Sequence, residues 1–243
     1  MDDLKLDLLV IAVHPDDAEL CCGGTLIKHA AAGKRVGVVD LTRGELGTRG
    51  TAETRDQEAA EAARLIGLTL RENLHMRDGF FRNDEQHQLQ VIQVIRRYRP
   101  RIVISNALTD RHPDHGRAGN LVNDAVFLAG LRRIETADNG KNQEPYRPPL
   151  LLQSIQDTYI TPDIVVDVSD FWDRKLEALR AYKTQFFNET VSGGEPQTYI
   201  SDPGFFDILN GRGREYGKHI GARFAEGFTC RRLIGVDDLF VLK

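Results

Sequence analysis

The sequence predicts an α/β fold, in which a doubly wound and mostly parallel sheet has helices on both faces. Short β-branched runs alternate with longer amphipathic stretches over the first 106 of the 243 residues, the order expected of strands joined by crossover helices. The first run, Leu8–Val13, is apolar throughout, as in a strand buried on both faces of a parallel sheet. Hydrophobic residues make up 41% of the chain and charged residues 28%, so it can bury a sizeable core.

The first elements form a βαβ unit. The strand Leu8–Val13 is followed by a predicted helix over about 22–33 and by a second strand, Arg35–Leu41. Because the crossover between parallel strands is right-handed, this helix is expected to cover one face of the sheet.

The chain then repeats the alternation. Thr54 and Gln57 have the spacing of a capping box, so we expect an Ala-rich helix to begin there and to end near Gly67. The other elements predicted in this half are a short strand near 71–76, a helix over 85–98 and a fourth strand over Ile102–Ser105.

The second half is less regular from about residue 138, but no segment has the composition of a domain linker. We therefore expect a single domain over residues 1–243. The elements predicted there are a helix with one apolar face over 121–129, a polar loop over 138–149, strands over 150–155 and 163–168, a helix over 171–183, an ordered loop over 192–213, a helix near 212–225 and a last strand over 239–242. The long glycine-rich loop either covers a site or is plain surface.

Charge and composition exclude several classes of partner. Lys and Arg number 32 and Asp and Glu 36, a net charge of −4 that does not suit a nucleic-acid coat or a membrane-surface module, because both need a positive field. No apolar run approaches the length of a membrane span, and the acidic N-terminus lacks the pattern of a signal peptide. The three cysteines have no disulfide spacing. We therefore expect a cytoplasmic protein without a nucleic-acid or membrane partner.

Two clusters of His and Asp follow the first and fourth predicted strands. His14–Glu19 reads His-Pro-Asp-Asp-Ala-Glu, and Asp110–His115 reads Asp-Arg-His-Pro-Asp-His. In the common doubly wound strand order 3-2-1-4-5 these two strands are neighbours, and ligands bind in the crevice between their carboxyl ends. The densest His and Asp clusters of the chain are therefore expected to meet in one crevice.

The first cluster argues against a dinucleotide site. A dinucleotide-binding protein has a glycine-rich turn at this place, so that backbone amides can bind a pyrophosphate. Here three carboxylates would repel phosphate, and Gly23 and Gly24 alone do not make the fingerprint. Carboxylates combined with imidazoles favour zinc or another first-row divalent metal over calcium or magnesium.

The spacing selects three metal ligands. His14 and Asp17 lie three residues apart on a tight strand-to-helix turn, and His115 arrives from the neighbouring strand. Three protein ligands leave one position for water, whose pKa a bound zinc ion lowers to about 7. The sequence therefore predicts a catalytic rather than a structural zinc site.

Three further residues are predicted to assist the reaction. Asp16 stays free of the metal and fits a general base that later acts as a general acid. His112 can donate to an oxyanion, with Asp114 hydrogen-bonded to its far ring nitrogen. The composition of the site is that of a metal-assisted hydrolase.

The two clusters resemble the markers of the zinc-dependent N-acetylglucosamine deacetylase superfamily named after PIG-L and LmbE. That superfamily has a (His)-Pro-Asp-Asp-x-Glu motif after its first strand and His-x-x-His after its fourth, here His14–Glu19 and His112–His115. Its bacillithiol-biosynthesis branch is similar over nearly the whole chain. The further matching segments are Asp40–Glu45, Arg55 with its helix, Asp110–Arg111 and Ala225–Phe228.

The resemblance implies a Rossmann-like fold and the same ligands and assisting groups as the spacing does. It further implies that Arg55 and Arg111 bind substrate oxygens and that Tyr199 helps to stabilise the oxyanion. The implied substrate is N-acetylglucosaminyl-malate, a small amino-sugar conjugate. The implied assembly is a homo-oligomer, since relatives form homohexamers.

Several alternatives stay open on the sequence. The substrate is N-acetylglucosaminyl-malate or another small N-acetyl sugar or thiol conjugate, such as a chitooligosaccharide fragment. A metal-binding module without catalysis would carry the same ligands. Glu19 either orients a ligand or caps the first helix, and either His112 or Tyr199 stabilises the oxyanion. Iron, cobalt and manganese accept the same donors as zinc.

Overall fold

The structure is a computed structural model that describes residues 5–186 and 196–242. The strands are β1 (Leu8–Ala12), β2 (Val36–Asp40), β3 (Leu70–Asn73), β4 (Ile102–Ser105), β5 (Ala137–Asp138), β6 (Lys141–Asn142), β7 (Leu150–Ser154), β8 (Ile164–Asp167) and β9 (Ala225–Thr229). The helices are α1 (Asp17–Ala31), α2 (Ala52–Ile66), α3 (Glu85–Tyr98), α4 (Pro113–Leu128), α5 (Trp172–Arg180) and α6 (Phe205–Lys218), with short 3₁₀ helices at Ser169–Phe171 and Leu239–Val241. None of the helices in these described ranges is both long and apolar enough to cross a membrane.

Seven strands form one sheet in the order β3-β2-β1-β4-β7-β9-β8. The first five strands of that order are parallel to one another, whereas β9 is antiparallel to both of its neighbours. The predicted class, an α/β fold with a mostly parallel sheet, is confirmed. Because β1 and β4 are paired, with Ile11 opposite Ser105, the segments that follow these two strands meet at the same edge of the sheet.

Alternate residues of β1 serve the cores on the two faces of the sheet. Leu9 and Ile11 belong to the core that includes residues of α3 and α4, and Leu8 and Val10 belong to the core that includes residues of α1. Side chains of a strand point to opposite faces in turn, so a strand covered on both sides must be apolar at every position. Packing on both faces thus holds β1 in place, and with it the acidic turn that follows β1.

The N-terminal ends of two helices differ from the predictions. Helix α1 begins at Asp17, not near residue 22, because the acidic turn after β1 already forms its first turn. In α2 the capping box joins Thr51 and Thr54, and the prediction that Thr54 pairs with Gln57 is wrong. The C-terminal prediction for α2 is confirmed, since Gly67 ends the helix at a φ of 83°.

The polar loop predicted over 138–149 contains a small hairpin that the sequence analysis missed. Strands β5 and β6 pair antiparallel, and Asn139 and Gly140 between them have φ values of 48° and 74°. An Asn-Gly pair with two positive φ angles is the usual two-residue hairpin turn. The dipeptide itself was therefore the missed signal.

The predicted loop over 192–213 and helix near 212–225 are wrong in their bounds. Helix α6 already begins at Phe205, and residues 192–195 lie outside the described residues. A Cβ on Gly213 would lie 2.5 Å from the Trp172 ring, so this glycine permits close packing of a helix and does not mark a turn.

Strand β9 and the C-terminus also differ from the predictions. Residues 225–229 form a strand that was not predicted, and it begins where the predicted helix was expected to end. Ala225 and Phe228 of this strand pack into buried cores. The strand predicted over 239–242 is wrong, since Leu239–Val241 form a short 3₁₀ helix capped by Asp238.

Candidate metal centre

The turn between β1 and α1 is held by the neighbouring strand. Asp16, the residue before α1, has a φ of 117°, which is unusual for a residue other than glycine. The backbone N–H of His14 donates to Asp17 Oδ2 at 3.0 Å, which closes the turn. Asn106, at the end of β4, accepts from the N–H of Val13 at 3.1 Å and donates to Asp17 at 3.4 Å. The two strand ends are thus tied together at the site.

His14, Asp17 and His115 form a group whose ligand atoms lie within 4.8 Å of one another. Nδ1 of His14 is 3.5 Å from one carboxylate oxygen of Asp17, and Nε2 of His115 is 3.3 Å from the other. The structure therefore brings together the three residues that the spacing selected. Two imidazoles and one carboxylate are the donor set of a three-ligand catalytic metal site.

The other ring nitrogen of each histidine is bound by a second carboxylate. Nε2 of His14 is 3.0 Å from Asp78, and Nδ1 of His115 is 2.6 Å from Asp110. Metal-ligating histidines in proteins usually have their far nitrogen bound by a carboxylate or carbonyl, which fixes the ring orientation and raises the basicity of the ligand. The nitrogens left facing Asp17 are therefore the ones oriented toward a cation.

The electrostatics of the group fit a cation. Burial lowers the pKa of His14, but the hydrogen bonds and charges of Asp17 and Asp78 outweigh burial and raise it to about 9. Burial likewise opposes the shift at His115, where Asp17 and Asp110 raise the pKa to about 10. The carboxylates thus favour the protonated, positively charged form of both imidazoles. A divalent cation bound between the rings would supply this positive charge in place of the protons.

Asp16 lies beside this group and is held by Arg55. The guanidinium donates to Asp16 Oδ2 at 3.2 Å and to the carbonyl oxygens of Pro15 and Gly44 at 2.6 and 3.2 Å. Burial raises the pKa of Asp16 to about 7, although the charge of Arg55 opposes this shift. Arg55 is itself buried and turned toward protein groups, so its predicted contact with substrate oxygens stays a prediction.

His112 and Asp114 lie at the start of α4, and their mutual contact differs from the one predicted. The backbone N–H of Asp114 donates to Nδ1 of His112 at 3.3 Å, because His112 is the N-cap of the helix. The Asp114 carboxylate accepts instead from Gly79 N at 2.9 Å and from Arg117 at 2.6 Å. Since Nδ1 of His112 is an acceptor here, the neutral ring carries its proton on Nε2. Burial, together with the charges of His14 and His115, lowers the pKa of His112 and favours that neutral form.

Arg111 and Tyr199 lie in a compartment that adjoins the metal group. The Arg111 guanidinium is paired with Asp157 and lies 4.9 Å from the centre of the Tyr199 ring. Arg212 donates to the backbone oxygen of Asp157 at 3.0 Å. Leu20, Phe205 and Ile208 are among the apolar residues that line the same compartment. The structure therefore places both predicted substrate residues beside the centre, and their roles stay predictions.

Glu19 has neither of the contacts considered for it. Its carboxylate is fully buried and accepts from Arg71 and from the Tyr182 hydroxyl, at 2.5 and 3.1 Å. Arg71 also binds Asp40, at 2.8 Å. Among the described contacts, Glu19 bonds to no ligand side chain and caps no helix, so both interpretations are wrong.

Three residues of the site were missed by the sequence analysis. Gln156 donates to Asp17 Oδ1 at 2.7 Å, and Asn106 and Asp78 make the contacts given above. All three follow the carboxyl ends of strands, β7, β4 and β3 respectively. A search for polar residues just beyond each predicted strand would have found them, since that edge of the sheet carries the site.

The sequence is similar to those of known deacetylases. A sequence model of the PIG-L family, described as GlcNAc-PI de-N-acetylase, matches residues 9–126. A diacetylchitobiose deacetylase from Thermococcus kodakarensis is 30% identical over 93% of this chain and 83% of its own length. A probable N-acetyl-α-D-glucosaminyl L-malate deacetylase from Bacillus anthracis is 27% identical over 74% of this chain and 81% of its own length.

A solved structure agrees over nearly the whole fold. The conserved protein TT1542 from Thermus thermophilus is 38% identical, covers 95% of this chain and 97% of its own, and superposes with a TM-score of 0.83. The family match includes the β1 turn and the start of α4, where the ligand group lies. The chain therefore belongs to the PIG-L family of deacetylases.

Proposed function

We propose that this protein is a zinc-dependent N-deacetylase that hydrolyses the acetamide of a small N-acetylglucosamine conjugate. The observation that carries the proposal is the arrangement of Asp16 beside the group of His14, Asp17 and His115. Asp16 belongs to neither candidate ligand group of the described residues, and its pKa of about 7 suits a group that both accepts and returns a proton. The two candidate groups are His14 with Asp17 and His115, and His14 with His112 and Asp114. A structural zinc site would need a fourth protein ligand instead.

The residues of the chain divide the work of amide hydrolysis. His14, Asp17 and His115 would hold the cation, which would polarise the acetamide carbonyl and lower the pKa of water. Asp16, oriented by Arg55, accepts the proton of the attacking water and returns it to the departing amine. His112 donates from Nε2 to the oxygen that gains negative charge, since its Nδ1 is occupied by the Asp114 N–H.

For the conjugate we propose N-acetylglucosaminyl-malate. Two guanidinium groups, those of Arg111 and Arg212, line the compartment beside the centre, and guanidinium groups bind carboxylates well. The relative from Bacillus anthracis bears the name of a malate-conjugate deacetylase. A second candidate is diacetylchitobiose, because the same compartment has an apolar wall with Phe205 and because the relative from Thermococcus kodakarensis bears that name.

Acetate release from a substrate panel tests the proposal. The panel holds N-acetylglucosaminyl-malate, diacetylchitobiose and N-acetylglucosamine, each assayed with the zinc-loaded protein and with Asp16→Asn. Release that needs both the malate group and Asp16 is the expected result. Release from diacetylchitobiose alone would establish the second candidate. Silence toward every amide, with one zinc ion bound per chain, would favour a metal-binding module without catalysis.

We also propose that the chains self-associate. The segment 231–242 exposes a series of apolar side chains, among them Leu233 at 95% and Phe240 at 96% exposure. Apolar groups displayed in this way are typical of surfaces that are covered in an assembly. Light scattering after size-exclusion chromatography is expected to give a mass that is a multiple of 27.3 kDa. A mass of one chain at micromolar concentration would contradict the proposal.

A further inference from the structure

Helix α1 is divided into two segments just after the metal-binding turn. Cys22 has φ −142° and ψ 21°, values outside the helical region. The first segment, Asp17–Cys21, carries the Asp17 ligand and follows Asp16. The second, Gly23–Ala31, packs along the sheet. A break in a helix leaves backbone carbonyls of the first segment and backbone N–H groups of the second without helical partners.

A buried ion pair satisfies both sides of this break. Glu226, on β9, accepts from the backbone N–H groups of Gly24 and Thr25 at 2.9 and 2.7 Å. Lys175, on α5, donates to the carbonyl oxygen of Leu20 at 2.8 Å and to Glu226 at 2.6 Å. The carboxylate thus caps the second segment, and the ammonium group binds the last turn of the first. Both side chains are at most 2% exposed.

The two glycines at the break allow this arrangement. A Cβ on Gly24 would lie 2.8 Å from the Cβ of Val168, closer than side-chain atoms approach. A Cβ on Gly23 would lie 3.3 Å from Cγ of Lys175. Glycine at both positions therefore lets α5 and the end of β8 approach α1, which brings Lys175 within reach of Leu20. Gly23 and Gly24, which do not form a dinucleotide-binding fingerprint, thus have a role in packing.

We propose that Lys175 and Glu226 are positioning residues that fix the ligand-bearing turn of α1 relative to the sheet. The inference rests on the proposed metal site. Leu20 lies three residues after Asp17 in the same short segment, so the bond from Lys175 to the Leu20 carbonyl sets the orientation of that segment. At one end of the segment Arg55 holds Asp16 and Asn106 holds Asp17, and Lys175 holds the other end.

Three variants test the proposal against a matched control. They are Glu226→Gln, Lys175→Met and the double variant K175M/E226Q. The double variant is included because a single substitution leaves a buried charge without a partner and can prevent folding. The control is Arg96→Met, which removes another buried cation that binds backbone carbonyls, those of Ala129, Ile134 and Leu131. These residues follow the C-terminal end of α4, whereas His112 and His115 lie at its N-terminal end.

Two readouts separate positioning from general stability. The first is the Kd for Co²⁺, with the visible spectrum of the bound ion, measured against a competing chelator. The second is hydrogen exchange of the backbone amides of residues 14–22 in the metal-free protein. We expect the folded variants at Lys175 and Glu226 to weaken Co²⁺ binding by about 10-fold or more and to exchange these amides faster. Arg96→Met is expected to lower Tm while leaving the Co²⁺ Kd within about twofold.

The outcomes are distinguishable. If the double variant lowers Tm as Arg96→Met does but keeps the wild-type Co²⁺ Kd, spectrum and exchange rates, the pair is only structural and the inference is wrong. If the wild-type protein binds no Co²⁺, the proposed function fails together with the inference.

Discussion

The two sides of the crevice differ in how their polar groups are held. On the side formed by the ends of β1 and β4, His14 and His115 are each bound by a second carboxylate and Asp17 is bound by Gln156. On the side formed by the adjoining compartment, Arg111 is 55% exposed and paired with Asp157 near the surface. The first side is organised before substrate arrives, whereas the second has side chains free to adjust to it. We therefore expect substitutions on the first side to change cation binding and kcat, and substitutions on the second side to change KM for particular substrates.

The largest effect is expected on the organised side, from His115→Ala. Removal of one of three ligands abolishes cation binding, so acetate release should fall by at least about 10³-fold with every substrate. Metal content by mass spectrometry and acetate release check this expectation together. A variant that keeps one metal ion per chain and the wild-type rate would show that His115 is not a ligand.

Asp16→Asn is expected to separate proton transfer from cation binding on the same side. The amide keeps the shape of the side chain but cannot accept a proton, so kcat should fall by roughly 10²–10⁴-fold. Metal content should match that of the wild type, because Asp16 belongs to none of the ligand groups in the described structure. A kcat near the wild-type value would remove Asp16 from the mechanism.

Asp110→Asn tests whether the organisation around the ligands matters. The substitution weakens the carboxylate bond to Nδ1 of His115, so the Kd for zinc should rise by about 10- to 100-fold. The matched control is Asp138→Asn, which removes a carboxylate that binds Arg97 away from the site. Chelator competition measures both. Equal zinc affinity for Asp110→Asn and Asp138→Asn would show that the carboxylate bound to His115 does not contribute to zinc binding.

The smallest effect is expected on the adjustable side, and only with one substrate. Arg111→Met removes a guanidinium group from the compartment, so KM for N-acetylglucosaminyl-malate should rise by about 10-fold, the value of one charge-assisted hydrogen bond. Zinc affinity and the kcat/KM for diacetylchitobiose should change little. Arg214→Met, at an arginine over the Phe224 ring, serves as the control. A uniform loss across substrates would mean that Arg111 acts in the chemistry.

The sequence predicted the central part of the fold and the proximity of His14, Asp17 and His115 because both depend on local patterns. Strand β1 is apolar at every position, and the His and Asp clusters are the first such clusters after β1 and after β4. The strand order then brings His14 and His115 together without any further information.

The partners of these ligands could not be predicted in the same way. Asp78 is 64 positions from His14 in sequence and Gln156 is 139 positions from Asp17, so only the folded chain shows the contacts. The first part of helix α6 was also missed, because glycines such as Gly213 were interpreted as signs of a loop although the Trp172 ring requires a glycine there. Glycine predicts a turn well where a positive φ angle requires it. It predicts a turn poorly where the close packing of a neighbouring side chain requires it.

The backbone of Asp16 has a consequence for how this protein tolerates mutation. At a φ of 117° a side chain is strained, and glycine is the residue that adopts such an angle most easily. Alanine is usually the more stabilising of the two smallest residues, but here Asp16→Gly should be more stable than Asp16→Ala. We expect a difference of about 1 kcal/mol in the free energy of unfolding, and a higher Tm for Asp16→Gly. The strained backbone at Asp16 is therefore a cost of any side chain at this position, and the bond from Arg55 holds the carboxylate there against that cost.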